Sequence, residues 1–120
     1  MAMEAVIKAE IALGREPRDV SAQRGLGYDL ESKDLSTGHL YFIEVKGRWH
    51  LKDEVVLTKN EILCARNEPD RFRLAVVVID ENGPRNPKYL VQYRFGEPDF
   101  AETMRSFSLN KLLQDSVDPM

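Results

Sequence analysis

Cysteine is almost absent from this 120-residue chain, with Cys64 standing alone. A lone thiol excludes an internal disulfide and any cysteine-rich zinc site. Histidine is nearly as scarce: His39 and His50 are the only imidazoles. No Gly-rich phosphate loop, nucleophile elbow or zinc-ligand spacing occurs, which removes most of the common routes to nucleotide, acyl-transfer or zinc chemistry. Long hydrophobic runs are missing as well, and so is a signal-peptide pattern, so neither a membrane span nor secretion is supported. An excess of basic residues is also lacking. The 17 Lys and Arg against 20 Asp and Glu give a net charge of −3, which supplies no overall electrostatic footprint for nucleic acid. With 42% hydrophobic residues, the chain has material for one domain over 1–120 with a modest core, and a cytoplasmic location is expected.

What the chain does have is a pair of acids and a lysine placed by strand geometry. In Tyr41-Phe42-Ile43-Glu44-Val45-Lys46, side chains alternate between two faces. Glu44 and Lys46 therefore share a face with Leu40 and Phe42, and Tyr41, Ile43 and Val45 take the other. Upstream, Tyr28-Asp29-Leu30-Glu31 alternates in the same way, and Leu35-Ser36-Thr37-Gly38 has the composition of a hairpin connection. A loop of those four residues pairs Asp34 with His39 and brings Asp29 opposite Glu44. Like charges facing each other across two strands are destabilising. A hard divalent cation with oxygen ligands removes the conflict, and Lys46 beside it suits activation of a water or steadying of charge on phosphate. That is chemistry for phosphodiester hydrolysis. A half-exposed antiparallel strand also carries polar residues at alternate positions, so a solvated face is the competing reading.

Around this hairpin the pattern predicts a helix from Met3 to Leu13, stopped by Gly14, and a short strand near Val20. Another strand follows at Glu54 to Leu57, then a helix opened by the capping-box spacing Thr58-Lys59-Asn60-Glu61. Phe72 to Ile79 is apolar and β-branched, as expected of a central strand covered on both faces. Tyr89 to Phe95 reads as an amphipathic strand, and a last helix starts near Ser108 with Leu109, Leu112 and Leu113 inward. Asp115 to Met120 is expected to fray. On the helical wheel, Glu10 falls on the rim of the apolar stripe of the first helix and points inward. Arg48, Trp49, His50 and Lys52, directly after the motif strand, form the densest basic and aromatic stretch with Lys46. They suit a nucleic-acid groove through phosphate contact and stacking, and suit a charged solvent loop equally.

The run GREPRDVSAQRGLGYDLESKDLSTGHLYFIEVKGR, followed by VVLTKNEILCA and a closing hydrophobic strand, resembles the NO VEIN C-terminal-type domain. That family is in turn similar to the PD-(D/E)xK nucleases, which include Mrr-type restriction endonucleases and Holliday-junction resolvases. The resemblance covers roughly Met3 to Ile79. It implies a restriction-endonuclease-like α/β (α+β) fold, a central mixed sheet flanked by helices in the order αβββ(β)αββα. It also implies a metal-dependent DNA endonuclease, with Asp29 and Glu44 as metal-binding acids and Lys46 as the catalytic lysine. Mg²⁺ or Mn²⁺ would be the cofactor, with the Val45 carbonyl completing coordination by analogy. Many such nucleases carry an acid on the first helix that reaches the metal, which assigns Glu10 that role, and the helix after the motif flanks the site, which makes Lys59 a phosphate contact. The proline of the nominal motif is absent here, since Tyr28 precedes Asp29. DNA is the implied partner, together with a helicase or other domains of a larger parent protein whose C-terminal module this would be, and a homodimer where both strands are cut. A catalytically inactive nuclease-fold module that binds nucleic acid or protein is the alternative.

Overall fold

The computed structural model describes residues 1–120. Its elements are α1 (Ala2–Ala12), β1 (Arg15–Asp19), β2 (Leu30–Asp34), β3 (Leu40–Trp49), β4 (Glu54–Thr58), α2 (Lys59–Asn67), β5 (Phe72–Asp80), β6 (Gly83–Pro84), β7 (Lys88–Val91), β8 (Met104–Ser108) and α3 (Leu109–Asp115). The main sheet runs β1-β2-β3-β5, with β6 and β7 both on the far side of β5; β3 and β5 are parallel and every other pair is antiparallel. This is the expected α+β architecture, a mixed central sheet flanked by helices. No helix is long and apolar enough to cross a membrane.

The parallel β3–β5 pair requires a crossover, since parallel neighbours cannot be joined by a tight turn. The chain uses β4 and α2 for it. β5 explains the sheet's two-sidedness, because it is buried from Phe72 to Val78 and its side chains feed two separate cores. Leu74 and Val76 join Val55, Leu57, Ile62, Leu90, Phe95, Leu109 and Leu112 beneath α2, α3 and β4. Ala75 and Val77 join Val6, Leu30, Ile43 and Tyr89 beneath α1. Each fully buried Leu, Ile or Val contributes about 1.5–3 kcal/mol relative to exposure. α1 crosses β3 closely at Gly47, where an added Cβ would lie 2.8 Å from the Ala2 Cβ; only glycine permits that approach.

Three expectations need correction. The strand read over Tyr89 to Phe95 ends at Val91, because Gln92 adopts a left-handed φ of 53° that breaks the extended chain. A further strand, β8, pairs with β4 in a separate two-stranded sheet, which lengthens the expected element order after α2. Residues beyond Asp115 do not fray: Val117 exchanges backbone hydrogen bonds with Tyr89 at 2.8 and 2.9 Å, and the Met120 carbonyl accepts from Arg73 Nε at 3.2 Å.

Candidate functional site

The β2–β3 hairpin has the register that the loop length dictates. Lys33 pairs with Leu40 and Leu30 with Ile43, and Asp34 N donates to His39 O at 2.8 Å. Asp34 also takes the amides of Ser36 and Thr37 at 2.9 and 3.0 Å, the Asx-type bonds that favour such a turn. The Ser36 hydroxyl, donating at 2.8 Å, and then these two amides hold its carboxyl down at about 2. One residue past Leu30 the ladder stops. The chain bends at Asp29, and its Oδ2 accepts from Val45 N at 2.9 Å, so a carboxylate stands where the next strand acceptor would be.

This substitution defines an edge. Phe42 N donates to Arg71 O and His50 N to Ile79 O, so even-numbered amides of β3 face β5 and odd-numbered ones face β2. The Val45 carbonyl, on the same side as its amide, therefore lies on the stretch of β3 that β2 has stopped covering. On the sheet face toward α2, Glu44 and Lys46 project together. Lys46 Nζ lies 3.2 Å from Glu44 Oε2 and 3.0 Å from Glu61 Oε1. All three side chains are largely out of solvent, at 16% exposure for Lys46, 5% for Glu44 and 13% for Glu61.

Glu61 arrives there because of the helix cap. Thr58 Oγ1 accepts from Glu61 N at 3.2 Å and Glu61 Oε1 accepts from Thr58 N at 2.9 Å, a complete capping box. The same Oε1 receives the Lys46 ammonium. Two carboxyls, Glu44 and Glu61, thus meet one lysine, and Asp29 stands beside Glu44. Burial pushes the Glu44 carboxyl up to about 9, with Glu61 and Asp29 adding to the effect and Lys46 opposing it. Burial works against the Lys46 ammonium, but Glu44 and Glu61 outweigh it and hold its pKa above the ordinary lysine value.

Glu10 is not part of this cluster. It is fully buried on the opposite face of the sheet, where Arg15 Nη1 lies 3.1 Å from both its carboxylate oxygens and Tyr89 Oη donates at 2.7 Å. Burial and then Glu10 raise the Tyr89 phenol. The wheel was right that Glu10 points inward; α1 packs on the face formed by Ile43 and Ala75, away from Glu44. Its role is a buried ion pair, and the expected reach to a metal is corrected.

The proposed nucleic-acid contacts are dispersed. Arg48 follows Lys46 on the same face, but its Nε donates to Glu54 O at 3.0 Å and its Nη1 to Gly47 O at 3.3 Å. Trp49 alternates to the α1 side and is 40% exposed. Lys52 is exposed in the β3–β4 loop. Lys59 Nζ donates to Phe100 O at 3.3 Å and sits 5.9 Å from that ring's centre. His50 is engaged with Glu81 at 3.2 Å.

No group of three or more His, Cys, Asp or Glu side chains is arranged as a metal cage. The donor set at hand is the Asp29 and Glu44 carboxylates and the uncovered Val45 carbonyl. That set suits Mg²⁺, which keeps several waters and takes one or two carboxylates from protein. Glu44 fits the same requirement, being a buried acid beside two others with a single ammonium for compensation. Glu61 is the residue the sequence reading passed over as functional, since the capping box already accounted for it.

Residues 1–90 match the family described as Protein NO VEIN, C-terminal. The matched stretch runs from α1 into β7 and includes Asp29, Glu44, Lys46 and Glu61. No curated protein matches the chain.

Proposed function

The chain belongs to the NO VEIN C-terminal family, and from that premise we propose that it is a metal-dependent DNA endonuclease domain of PD-(D/E)xK type, related to the Mrr-type nucleases. The observation that carries the reading is the convergence of Asp29, at the bend that precedes β2, with Glu44 and Lys46 on one face of β3. Asp29 and Glu44, with the Val45 carbonyl, would hold Mg²⁺ or Mn²⁺. When bound, the cation supplies positive charge to the scissile phosphate and makes an attacking water more acidic. Asp29, tied through Oδ2 to Val45 N, is fixed to the strand whose carbonyl it would share. Lys46, already charged and nearly buried, would orient the attacking water and donate to the phosphoryl oxygen as negative charge grows there. The low exposure of this face strengthens each of those interactions relative to water. A helicase or another domain of a larger protein would bring the substrate, and a homodimer would supply the second site for cutting both strands.

Incubation of the protein with supercoiled plasmid and with single-stranded DNA, in Mg²⁺ or Mn²⁺, tests this. Cleavage is expected from the wild type and lost in Lys46→Ala and Asp29→Asn at unchanged helical content. Wild-type rates in Lys46→Ala would refute the assigned chemistry.

A second reading is a nuclease-fold module without catalysis that binds nucleic acid or a protein partner. It is favoured by the internal engagement of Arg48 and Lys59, which withdraws two basic groups from phosphate. Calorimetry separates the readings: Mg²⁺ binding that disappears in Asp29→Ala and Glu44→Ala supports the nuclease, and a folded wild type that binds no cation supports the module.

A further inference from the structure

From the Lys46–Glu61 contact at 3.0 Å we infer that Glu61 is a positioning residue, the anchor that keeps the Lys46 ammonium in place when Glu44 turns to a cation. This rests on the metal site proposed above and extends it to a residue on a different element.

Lys46 has two acidic partners, and they are not equivalent. Glu44, on the same strand, lies 3.2 Å away through Oε2 and is one of the two carboxylates that would bind a divalent ion. Committing that carboxylate to a cation takes away a partner of Lys46 and sets a second positive charge beside it. Without another anchor, the ammonium would be driven out of the cleft. Glu61 is free of that conflict. Its side chain is fixed from the other direction, by the Thr58 amide at 2.9 Å and by the first turn of α2, so little further ordering is needed to hold the lysine. The remaining acid, Asp29, is committed to the Val45 amide. Glu61 is therefore the carboxylate that can retain Lys46 once the cation is present. The helix dipole also favours a carboxylate at this first-turn position.

A double-mutant cycle on unfolding, with Lys46→Met, Glu61→Gln and the double variant, measures the coupling with EDTA and with saturating Mg²⁺. Glutamine retains an oxygen for the Thr58 amide, so the cap is preserved and the lost charge is what is read. Coupling is expected to rise by roughly three- to tenfold in equilibrium constant when Mg²⁺ is added, within the range usual for contacting residues. Mg²⁺ stabilisation of the wild type with unchanged coupling would overturn the inference and leave Glu61 as a capping residue only. Absence of Mg²⁺ stabilisation in the wild type would instead overturn the metal site on which it rests. If Lys46→Met fails to fold, acylation of the Lys46 amine gives the same answer. With Mg²⁺ bound, the wild type should remain protected and Glu61→Gln should become reactive; equal protection in both would refute the anchor.

Discussion

Replacing Glu44 by glutamine should stabilise the metal-free protein, and by an amount that depends on pH. The fold holds the Glu44 carboxyl up to about 9, against an ordinary value of 4.5. A carboxyl raised in this way favours the fold in its protonated form. That contribution is complete below 4.5, where folded and unfolded chains are both protonated, and it declines as pH rises toward 9. At neutral pH the unfolded chain gains by ionising Glu44 and the fold does not. At 1.36 kcal/mol per pH step, the cost to the fold by pH 7 is about 3 kcal/mol. Glutamine has nearly the shape of the protonated acid and never ionises, so it removes the cost. For a chain of this length, about 3 kcal/mol corresponds to roughly 10 °C in Tm. The assay is thermal unfolding of wild type and Glu44→Gln in EDTA from pH 4 to pH 8. The curves should converge near pH 4.5 and separate steadily above it, with the variant higher. Parallel curves, or a less stable variant at pH 8, would refute the account of Glu44 as a buried acid whose desolvation outweighs its pairing with Lys46.

Cation binding should displace the proton that the fold keeps on Glu44. Titration calorimetry of Mg²⁺ at pH 7 in buffers of different ionisation enthalpy should report release of on the order of one proton per cation, and heats independent of buffer would count against Glu44 as a ligand. Glu10→Gln should act on stability alone. Breaking its buried pair with Arg15 should cost about 3–5 kcal/mol, measured by denaturant unfolding, while Mg²⁺ affinity in the folded fraction stays at the wild-type value. A variant that loses cation binding without losing stability would return Glu10 to the metal site.

The hairpin was legible because its determinants are local. Loop length, an Asx-forming Asp34 and strict alternation fix which side chains of β2 and β3 meet, so Asp29, Glu44 and Lys46 could be grouped from spacing alone. Glu10 shows where local rules stop. A helical wheel tells which residues point inward, but the face of the sheet that α1 covers is decided by packing against Ile43, Ala75 and Tyr89, which are remote in sequence. β8 was hidden for a related reason. Met-Arg-Ser-Phe-Ser buries none of its side chains fully, and its pairing with β4 joins segments far apart in the chain. Glu61 was obscured by a sufficient local explanation: a residue already accounted for by a cap gave no signal that it also met a lysine across the fold.

The edges of the main sheet bear on how two copies of this domain could meet. On one side Val20 N donates to Asp29 O, so the even-numbered amides of β1 face inward and the odd ones outward. The central outward position is Pro17, which has no amide to offer a neighbouring strand. On the other side, the Tyr89 amide of β7 is already taken by Val117, Pro87 precedes it without a donor, and Gln92 turns the chain away. Each border thus lacks a free amide at one outward position, Pro17 on one side and Tyr89 on the other, which hinders strand addition, the usual route by which exposed sheets recruit one another. Two copies of this domain would therefore meet elsewhere than at Pro17 or Tyr89 of the main sheet.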